Sequence, residues 1–243
     1  MLTFPNSFWG TQGAPIFLGQ VGLFGSGSGQ NCVLSTIADA PAGSTIVVFM
    51  SPTNAITTTT MGAVTDSAGN SYTTDQAHTG DGHQGLYMVR CENCNHLPAG
   101  SLIQSMATFT GGSNQTWTDL VAFAIPPAQV GPAPLDVVTF NLSGSNQTSS
   151  TTLSSGVLAQ ASEYLMTVLG LGNSGPLVGS NVSLLFTGWD RLSFLSNPRM
   201  GSNNNSGTIV VYGQRVRSTA SVSFAASFPS NWWAQGMYSF KLR

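Results

Sequence analysis

Short runs in which apolar and polar residues alternate recur along most of this chain, with Gly, Pro, Asn and Ser between them. In residues 221–225, for example, the side chains of Val222 and Phe224 share one face. An alternation with a period of two is typical of a strand that buries one face. The runs 46–50 and 164–169 are apolar almost throughout, which predicts strands covered on both faces.

The spacing of these runs predicts an all-β protein, because turn signals separate short strands and convincing helical patterns are scarce. We expect an antiparallel β-sandwich of two sheets and of jelly-roll type. Its core should include Val47, Phe49, Val121, Phe123, Leu165, Val210, Phe224 and Phe240. The predicted strands are 31–37, 44–50, 62–65, 71–74, 85–90, 101–110, 117–125, 135–140, 163–171, 186–190, 207–217, 220–228 and 234–242.

The first thirty residues follow a different pattern. Phe4, Trp9 and Phe17 stand in apolar stretches interrupted by Pro and Gly, and residues 25–29 alternate Gly with Ser. Such a Gly/Ser tract is typical of a flexible linker. The sequence therefore predicts an extended apolar arm and linker over 1–30, before a sandwich domain over 31–243. We expect the arm to dock on a partner or on its own domain.

The charge content is unusually low. Only 16 of the 243 side chains are formally charged, and Lys241 is the sole lysine, whereas soluble domains carry about a quarter charged residues. A surface of Ser, Thr, Asn, Gln and Gly can be buried against a neighbour without desolvating many ions. This composition favours an assembly or binding component over an enzyme.

Charge and hydropathy also exclude several partners. A net charge of −2 and a pI near 5.8 leave no broad basic face for nucleic acid. No apolar run approaches the ~18–20 residues that a membrane-spanning helix needs. Residues 1–19 contain no Lys or Arg, so they do not have the pattern of a signal peptide. We therefore expect the protein to remain in the cytoplasm or to assemble there into a particle.

One block of sequence carries a resemblance to known proteins. Residues 64–73, Val-Thr-Asp-Ser-Ala-Gly-Asn-Ser-Tyr-Thr, place Asp66 at the start of a turn that Gly69 and Asn70 can close. The block resembles the V-T-D-S-A-G-N-x-Y hairpin of a loose group of bacterial and bacteriophage β-sandwich proteins. Further matches, in chain order, are Leu86-Tyr87, Ala99-Gly100-Ser101, Gly188-Trp189 and a closing strand from Trp233 to Phe240-Lys241.

The resemblance implies a virion, tail-associated or bacterial surface protein. We expect a non-catalytic structural component of a bacteriophage particle, either a head decoration or spike or a tail-associated subunit. It would dock on neighbouring subunits through its arm and a sheet edge. The expected partners are other virion proteins and further copies of the chain, and the expected location is the virion, assembled in the bacterial host cytoplasm. The alternative is a carbohydrate-binding or host-receptor-binding module.

Metal-ligand residue types cluster once. Cys91, Cys94 and His96 form a C-x2-C pair with a nearby His, and His83 or Cys32 would have to complete a site. Structural zinc sites normally show two ligand pairs, and the second pair is missing. Reduced thiols at a strand end are therefore the favoured interpretation, and we expect no cofactor.

Candidates for acid–base chemistry are equally sparse. Asp75 and Asp81 stand close in sequence to His78 and His83, and these four residues are the best polar constellation in the sequence. No nucleophile, base and orienting residue stand at a recognisable spacing. Turn and loop solvation account for these residues, so we expect no catalytic site.

Two groups of residues are candidates for contacts with partners. In Asn231-Trp232-Trp233 the successive side chains of a strand point to opposite faces, so one Trp must face away from the core. That ring would serve a protein interface or, in the alternative, a host glycan. Arg215 and Arg217 stand two apart on one strand, and we expect them to pair with carboxylates of a neighbouring subunit.

Overall fold

A computed structural model describes residues 14–25, 29–53, 58–78, 84–110, 116–143, 148–172, 182–198 and 206–243. These residues form strands and connections without a helix. This part of the chain therefore has no helix that is long and apolar enough to cross a membrane. The strands are β1 (Ile16–Gly25), β2 (Gly29–Ser35), β3 (Thr45–Thr53), β4 (Thr58–Met61), β5 (Thr65–Asp66), β6 (Thr73–His78), β7 (Leu86–Cys91), β8 (Leu102–Thr110), β9 (Thr116–Ile125), β10 (Val130–Leu142), β11 (Thr148–Ser154), β12 (Glu163–Gly172), β13 (Ser183–Leu184), β14 (Asp190–Pro198), β15 (Ser206–Val216) and β16 (Ser223–Leu242).

The strands pair antiparallel in three sheets. Sheet 1 has the order β2-β8-β4, with β5 also paired to β8. Sheet 2 has the order β1-β9-β3-β7-β6, and sheet 3 has the order β10-β16-β12-β15-β14. Strands β11 and β13 pair with the first half of β16 and complete sheet 3.

The 20-residue strand β16 serves two layers. Residues 223–227 and 231 pair with β11, whereas residues 232–241 pair with β12 and much of the same stretch pairs with β10. Pro229 lies between the two parts and has no backbone N–H to donate to a ladder. We call β11, β13 and the first part of β16 the outer leaf. Phe224 of the leaf shares a core cluster with Leu165 of β12, so the leaf packs on the face of the remaining strands of sheet 3.

The sheets stack in four layers around three apolar cores. From β3, Ile46, Val48 and Met50 point into the core shared with sheet 1, whereas Val47 and Phe49 point into the core shared with sheet 3. All residues of β3 and of β12 are buried. The two inner sheets are thus covered on both faces at their central strands, which explains why β3 and β12 are apolar nearly throughout.

The predicted all-β, antiparallel sandwich is confirmed, and all eight predicted core residues are buried. The number of sheets differs from the expected two, because the predicted core divides. Val47, Phe49, Val121, Phe123 and Phe240 lie between sheets 2 and 3, whereas Leu165, Val210 and Phe224 lie between sheet 3 and its outer leaf. Jelly-roll connectivity stays a prediction.

Part of the segment expected to form an arm is a strand of sheet 2. Residues 16–25 of the predicted arm form β1, which pairs with β9 at the edge of sheet 2, and Leu18 is fully buried. The register shifts between Phe17 and Gly19, and Gly19 has a φ of +142°. This bulge breaks the alternation that would have identified a strand. Residues 1–13, which include Phe4 and Trp9, lie outside the described residues.

Candidate functional site

Asp66 organises the turn of the 64–73 block. Its Oδ1 accepts hydrogen bonds from the backbone N–H groups of Ala68 (2.9 Å) and Asn70 (3.1 Å). Its Oδ2 accepts from Asn70 Nδ2 (2.7 Å) and from the Tyr72 hydroxyl (2.8 Å). Asn70 Oδ1 in turn accepts from the backbone N–H of Asn95 (2.6 Å). The polar residues of this motif therefore fix a turn and attach it to the neighbouring loop.

The three cysteines are free and buried. Burial raises the pKa of Cys91 to about 11 and that of Cys94 to about 12, and the nearby Asp66 carboxylate adds to both effects. These thiols are protonated at neutral pH, whereas metal ligation requires the thiolate. His96 is exposed, with its Nε2 3.8 Å from Asp39 Oδ2. The described part of the chain contains no group of three metal-ligating side chains.

Asp75 lies between sheets 2 and 3 in a network of polar contacts. Its Oδ1 is 2.6 Å from Arg90 Nη1, and its Oδ2 accepts a hydrogen bond of 2.7 Å from the Tyr238 hydroxyl. Arg90 Nε also donates to Glu92 Oε1 (2.9 Å). All the strong partners of Asp75 are thus protein groups that join β6, β7 and β16. Asp81 and His83, expected near Asp75, lie outside the described residues.

The structure brings together two carboxyl groups that sequence reasoning did not pair. Asp136 occupies a bulge of β10, and Glu163 is the first residue of β12. Glu163 Oε1 accepts from the backbone N–H of Gln160 (3.1 Å), and the hydroxyl of Ser239 donates to Oε2. Asp136 Oδ2 accepts from the backbone N–H of Ala159 (2.8 Å). The two carboxyl groups therefore hold the connection 155–162 against sheet 3.

The electrostatics of this pair follow from its burial. Glu163 is fully buried within the chain, and this burial raises its pKa, with a further rise from the hydrogen bond and charge of Asp136. A protonated Glu163 can donate to the Asp136 carboxylate, while Lys241 Nζ lies 3.8 Å from Asp136 Oδ1. Paired carboxyls of this kind can perform acid–base chemistry. Here their oxygens already contact the protein, which favours a structural role.

We expect Glu163→Gln to change the pH dependence of stability. Because the pKa of Glu163 is raised on folding, its protonated form stabilises the wild type below the unfolded pKa of about 4.3, and this contribution is lost as pH rises through the folded pKa. Urea unfolding at a series of pH values measures the free energy of unfolding of both proteins. The value for Glu163→Gln should rise relative to that of the wild type as pH rises. A constant difference would contradict the shared proton. Asp39→Asn, at an exposed carboxylate, is the control.

A second buried carboxyl lies between sheets 2 and 3. Asp119 on β9 is fully buried, and neither of its carboxylate oxygens has a hydrogen-bond partner. Burial raises its pKa well above the ordinary range. Its cross-strand neighbours are Gly22 of β1 and Ser51 of β3. The Ser51 hydroxyl instead accepts a hydrogen bond from Gln84 Nε2.

Two glycines of β12 lie directly against the side chains of Ser51 and Gln84. A Cβ on Gly170 would lie 2.4 Å from Ser51 Oγ, and one on Gly172 would lie 2.2 Å from Gln84 Oε1. The backbone of β12 therefore approaches these side chains as closely as only glycine allows. Gln84 also accepts from the Thr53 hydroxyl (2.7 Å). The amide is satisfied by its own neighbours, so this cluster serves packing between the sheets.

The aromatic residues expected at interfaces have different environments. Trp233 is only 6% exposed, packs with the outer leaf and donates through Nε1 to Thr148 Oγ1 (2.7 Å). The ring of Phe17 lies 5.4 Å from that of Phe123 in the core between sheets 2 and 3. Both side chains therefore pack within the chain, and a part of either in an interface stays a prediction. Trp232 is half-buried and remains a candidate contact.

The two arginines expected at an interface are both exposed. Arg215 lies near the end of β15, and Arg217 follows directly after this strand. Val216, between them, is buried against the outer leaf. Their pairing with carboxylates of a neighbouring subunit stays a prediction.

The most distinctive surfaces are the outermost faces of the stack. On the leaf, the outward residues are Ser150, Thr152, Ser154, Ser183, Leu185, Ser223 and Ser227. On sheet 1, they are Asn31, Val33, Ser35, Thr60, Thr65, Leu102, Gln104, Met106 and Thr108, with Ile37 just beyond β2. We call these sets the leaf face and the sheet 1 face. Neither of them contains a charged residue.

The fold and these surfaces define an all-β protein built from stacked antiparallel sheets. Comparison of the chain with protein-family models, with curated proteins and with solved structures found no match. The function therefore has to be inferred from the residues and their geometry.

Proposed function

We propose that the chain is a non-catalytic structural component of a bacteriophage particle, either a head decoration or spike or a tail-associated subunit. The observation that carries this proposal is the absence of charge on both the leaf face and the sheet 1 face. A contact on such faces desolvates no ion, so burial of hydroxyl, amide and aliphatic groups costs little. The particle and its assembly in a bacterial cytoplasm come from the resemblance of the 64–73 block.

The position of the sheet edges helps to locate the docking surface. At the β1 edge of sheet 2, Gln20 donates to the carbonyl of Phe194 (3.3 Å) and accepts from Ser193 (2.6 Å) of β14. At the β6 edge, the ring of His78 lies 5.5 Å from that of Phe140 on β10. Sheet 3 thus contacts both edges of sheet 2. This supports docking through the outer faces, together with the segment before β1, more than docking through an edge of sheet 2.

Three carboxyl groups within the fold are consistent with a structural role. The carboxyl groups of Asp75, Asp136 and Glu163 are each held by protein donors from different strands. Such groups join elements of the fold and leave few free oxygens for a substrate. A host-glycan-binding module, the alternative from the sequence, depends on Trp232 and stays a prediction.

Particles purified on a density gradient from a host that expresses this gene are expected to contain the chain at a fixed copy number. Quantitative peptide mass spectrometry of the gradient fractions measures it. The chain should remain attached after a wash in about 1 M salt, because the outer faces offer no ion pairs for salt to screen. Absence from the particle fractions, or release by the salt wash, would contradict the proposal. A host without the gene provides the background.

A further inference from the structure

We propose that Lys241 forms an amide bond with Asp136 within the chain, with Glu163 as the group that moves the protons. The product is an isopeptide bond between side chains of β16 and β10, which are neighbouring strands of sheet 3. Its formation does not depend on whether the chain belongs to a particle. Three observations carry the proposal: the contact between the two side chains, the burial of Glu163 beside them, and the hydrogen bonds that hold them in place.

The sole lysine of the chain lies against a largely buried carboxyl group. Lys241 Nζ is 3.8 Å from Asp136 Oδ1, and the two side chains are 35% and 10% exposed. The register of β10 shifts between Leu135 and Val137, so Asp136 is the extra residue of a bulge. Bulges commonly re-aim a side chain, and here the re-aimed carboxyl group meets an amine of the adjacent strand.

Glu163 supplies the proton transfers that such a pair needs. It is the cross-strand neighbour of Lys241 on β12, it is fully buried, and its carboxyl group contacts that of Asp136. Burial raises the pKa of Glu163, so this group keeps its proton to a higher pH than an ordinary carboxyl group does. It can donate this proton to Asp136 and regain one from the ammonium group of Lys241. The resulting neutral amine and neutral carboxyl group are the forms that condense.

The condensation is balanced, with water as the leaving group. Nζ of the neutral lysine adds to Cγ of Asp136, and the bond between Cγ and Oδ1 breaks. One proton from Nζ and the carboxyl proton leave with Oδ1 as water, and Glu163, which carries protons between them, ends with its own proton. Asp136 Oδ2 accepts a hydrogen bond of 2.8 Å from the backbone N–H of Ala159, and this donor stabilises the negative charge on Oδ2 during the addition.

Hydrogen bonds to the connection before β12 fix the end of β16. The backbone N–H of Leu242 donates to the carbonyl of Ser162 (2.9 Å), and Gln160 Nε2 donates to the carbonyl of Leu242 (2.7 Å). Lys241, the preceding residue, is therefore held next to Asp136. A fixed contact between amine and carboxyl group replaces the encounter of two free molecules, which accelerates their reaction by many orders of magnitude.

The mass of the denatured full-length chain tests the bond directly. The wild type should be lighter than its sequence by one water molecule. Lys241→Arg keeps the positive charge but cannot condense, because a guanidinium group stays protonated, so this variant should have its full calculated mass. Asp39→Asn, at an exposed carboxyl group, should retain the loss of water. A wild type at its full mass overturns the proposal.

Peptide mapping locates the bond. Trypsin should release residues 91–191 joined to residues 218–243 from the wild type, because an acylated Lys241 is not cleaved, and should release them separately from Lys241→Arg. Loss of water without the joined peptide would place the condensation elsewhere and overturn the proposal.

Glu163→Gln tests the proton transfers. In samples taken over time after purification, the variant should form the joined peptide at least about 100-fold more slowly than the wild type, and circular dichroism checks that it is folded. Equal rates in the folded variant would overturn the role of Glu163. Glu163 stays buried once the bond has formed, so the trend with pH expected for the stability of Glu163→Gln persists, at a lower free energy of unfolding for the variant.

Discussion

Replacing Asp119 with valine is expected to raise the free energy of unfolding by about 1–3 kcal/mol, the typical cost of a buried polar group without a partner. Both carboxylate oxygens of Asp119 lack a hydrogen bond inside the core between sheets 2 and 3. Valine adds apolar contacts and suits a central strand. Ser51, the cross-strand neighbour, keeps its hydrogen bond from Gln84. Urea unfolding at constant pH measures the change.

Asp119→Asn separates the effect of ionisation from that of polarity. Burial raises the pKa of Asp119, so the wild type is stabilised by the protonated form at low pH and loses that stability as pH rises through the folded pKa. Asn removes this loss but still buries an unsatisfied polar group. The free energy of unfolding of Asp119→Asn should therefore rise relative to that of the wild type only as pH rises. That of Asp119→Val should exceed the wild-type value already at acid pH. If Val is no more stable than Asp at any pH, the carboxyl has a stabilising partner.

Asp75→Ala is expected to lower the free energy of unfolding by about 3 kcal/mol or more, the usual result of breaking a buried ion pair from one side. The side chains of Asp75 and Arg90 are only 10% and 16% exposed. Removing the carboxylate leaves the fully buried Tyr238 hydroxyl without its acceptor and Arg90 with only Glu92. Urea unfolding is again the measurement.

A double-mutant cycle with Tyr238→Phe tests this explanation. In the Asp75→Ala background, Tyr238→Phe should recover part of the loss, because it removes the orphaned hydroxyl. In the wild-type background the same substitution should be destabilising. Additive effects would show that the two side chains do not interact. Asp39→Ala, at a carboxylate 62% exposed, should cost less than about 1 kcal/mol.

The sequence predicted most of the fold because burial determines the alternation along each strand. The wholly apolar runs of β3 and β12 correctly indicated strands covered on both faces. The sequence did not show what covers them. Two sheets or four layers produce the same local pattern, since a residue such as Leu165 is equally apolar against a leaf or against a second sheet. Only the change of pairing partners along β16, from β11 to β10 and β12, separates these cases.

Among the strands that were missed, β1 and β11 lack a clear alternation. β11 is a run of Ser and Thr with one Leu, Leu153, and its polarity matches a loop as well as an outer strand. β1 was missed because of its bulge at Gly19. The 64–73 turn was predicted in part. Asp66 starts it and Gly69 has a φ of +70°, as the local preferences of Asp and Gly indicated. The expected hairpin is not formed, because β5 pairs with β8 in sheet 1 whereas β6 pairs with β7 in sheet 2.

The buried carboxyl groups were missed for a different reason. Asp119 and Glu163 stand in or beside apolar runs, and that contrast is the signal that identifies them. The contact between Asp136 and Glu163 depends on the pairing of β10 and β12 with opposite sides of β16. The positions of such pairs are set by sheet order, which no local spacing contains.

The place of β16 has a consequence for synthesis. It follows the other strands of the described residues, yet it lies between β10 and β12 in sheet 3 and is the partner of β11 and β13 in the leaf. Until it emerges from the ribosome, sheet 3 has a gap at its middle and the leaf has no central strand. Sheets 1 and 2 can pair earlier, because all their strands lie before residue 126. The nascent chain must therefore hold an apolar surface exposed until β16 arrives, which makes this interval the one most sensitive to aggregation and to chaperones.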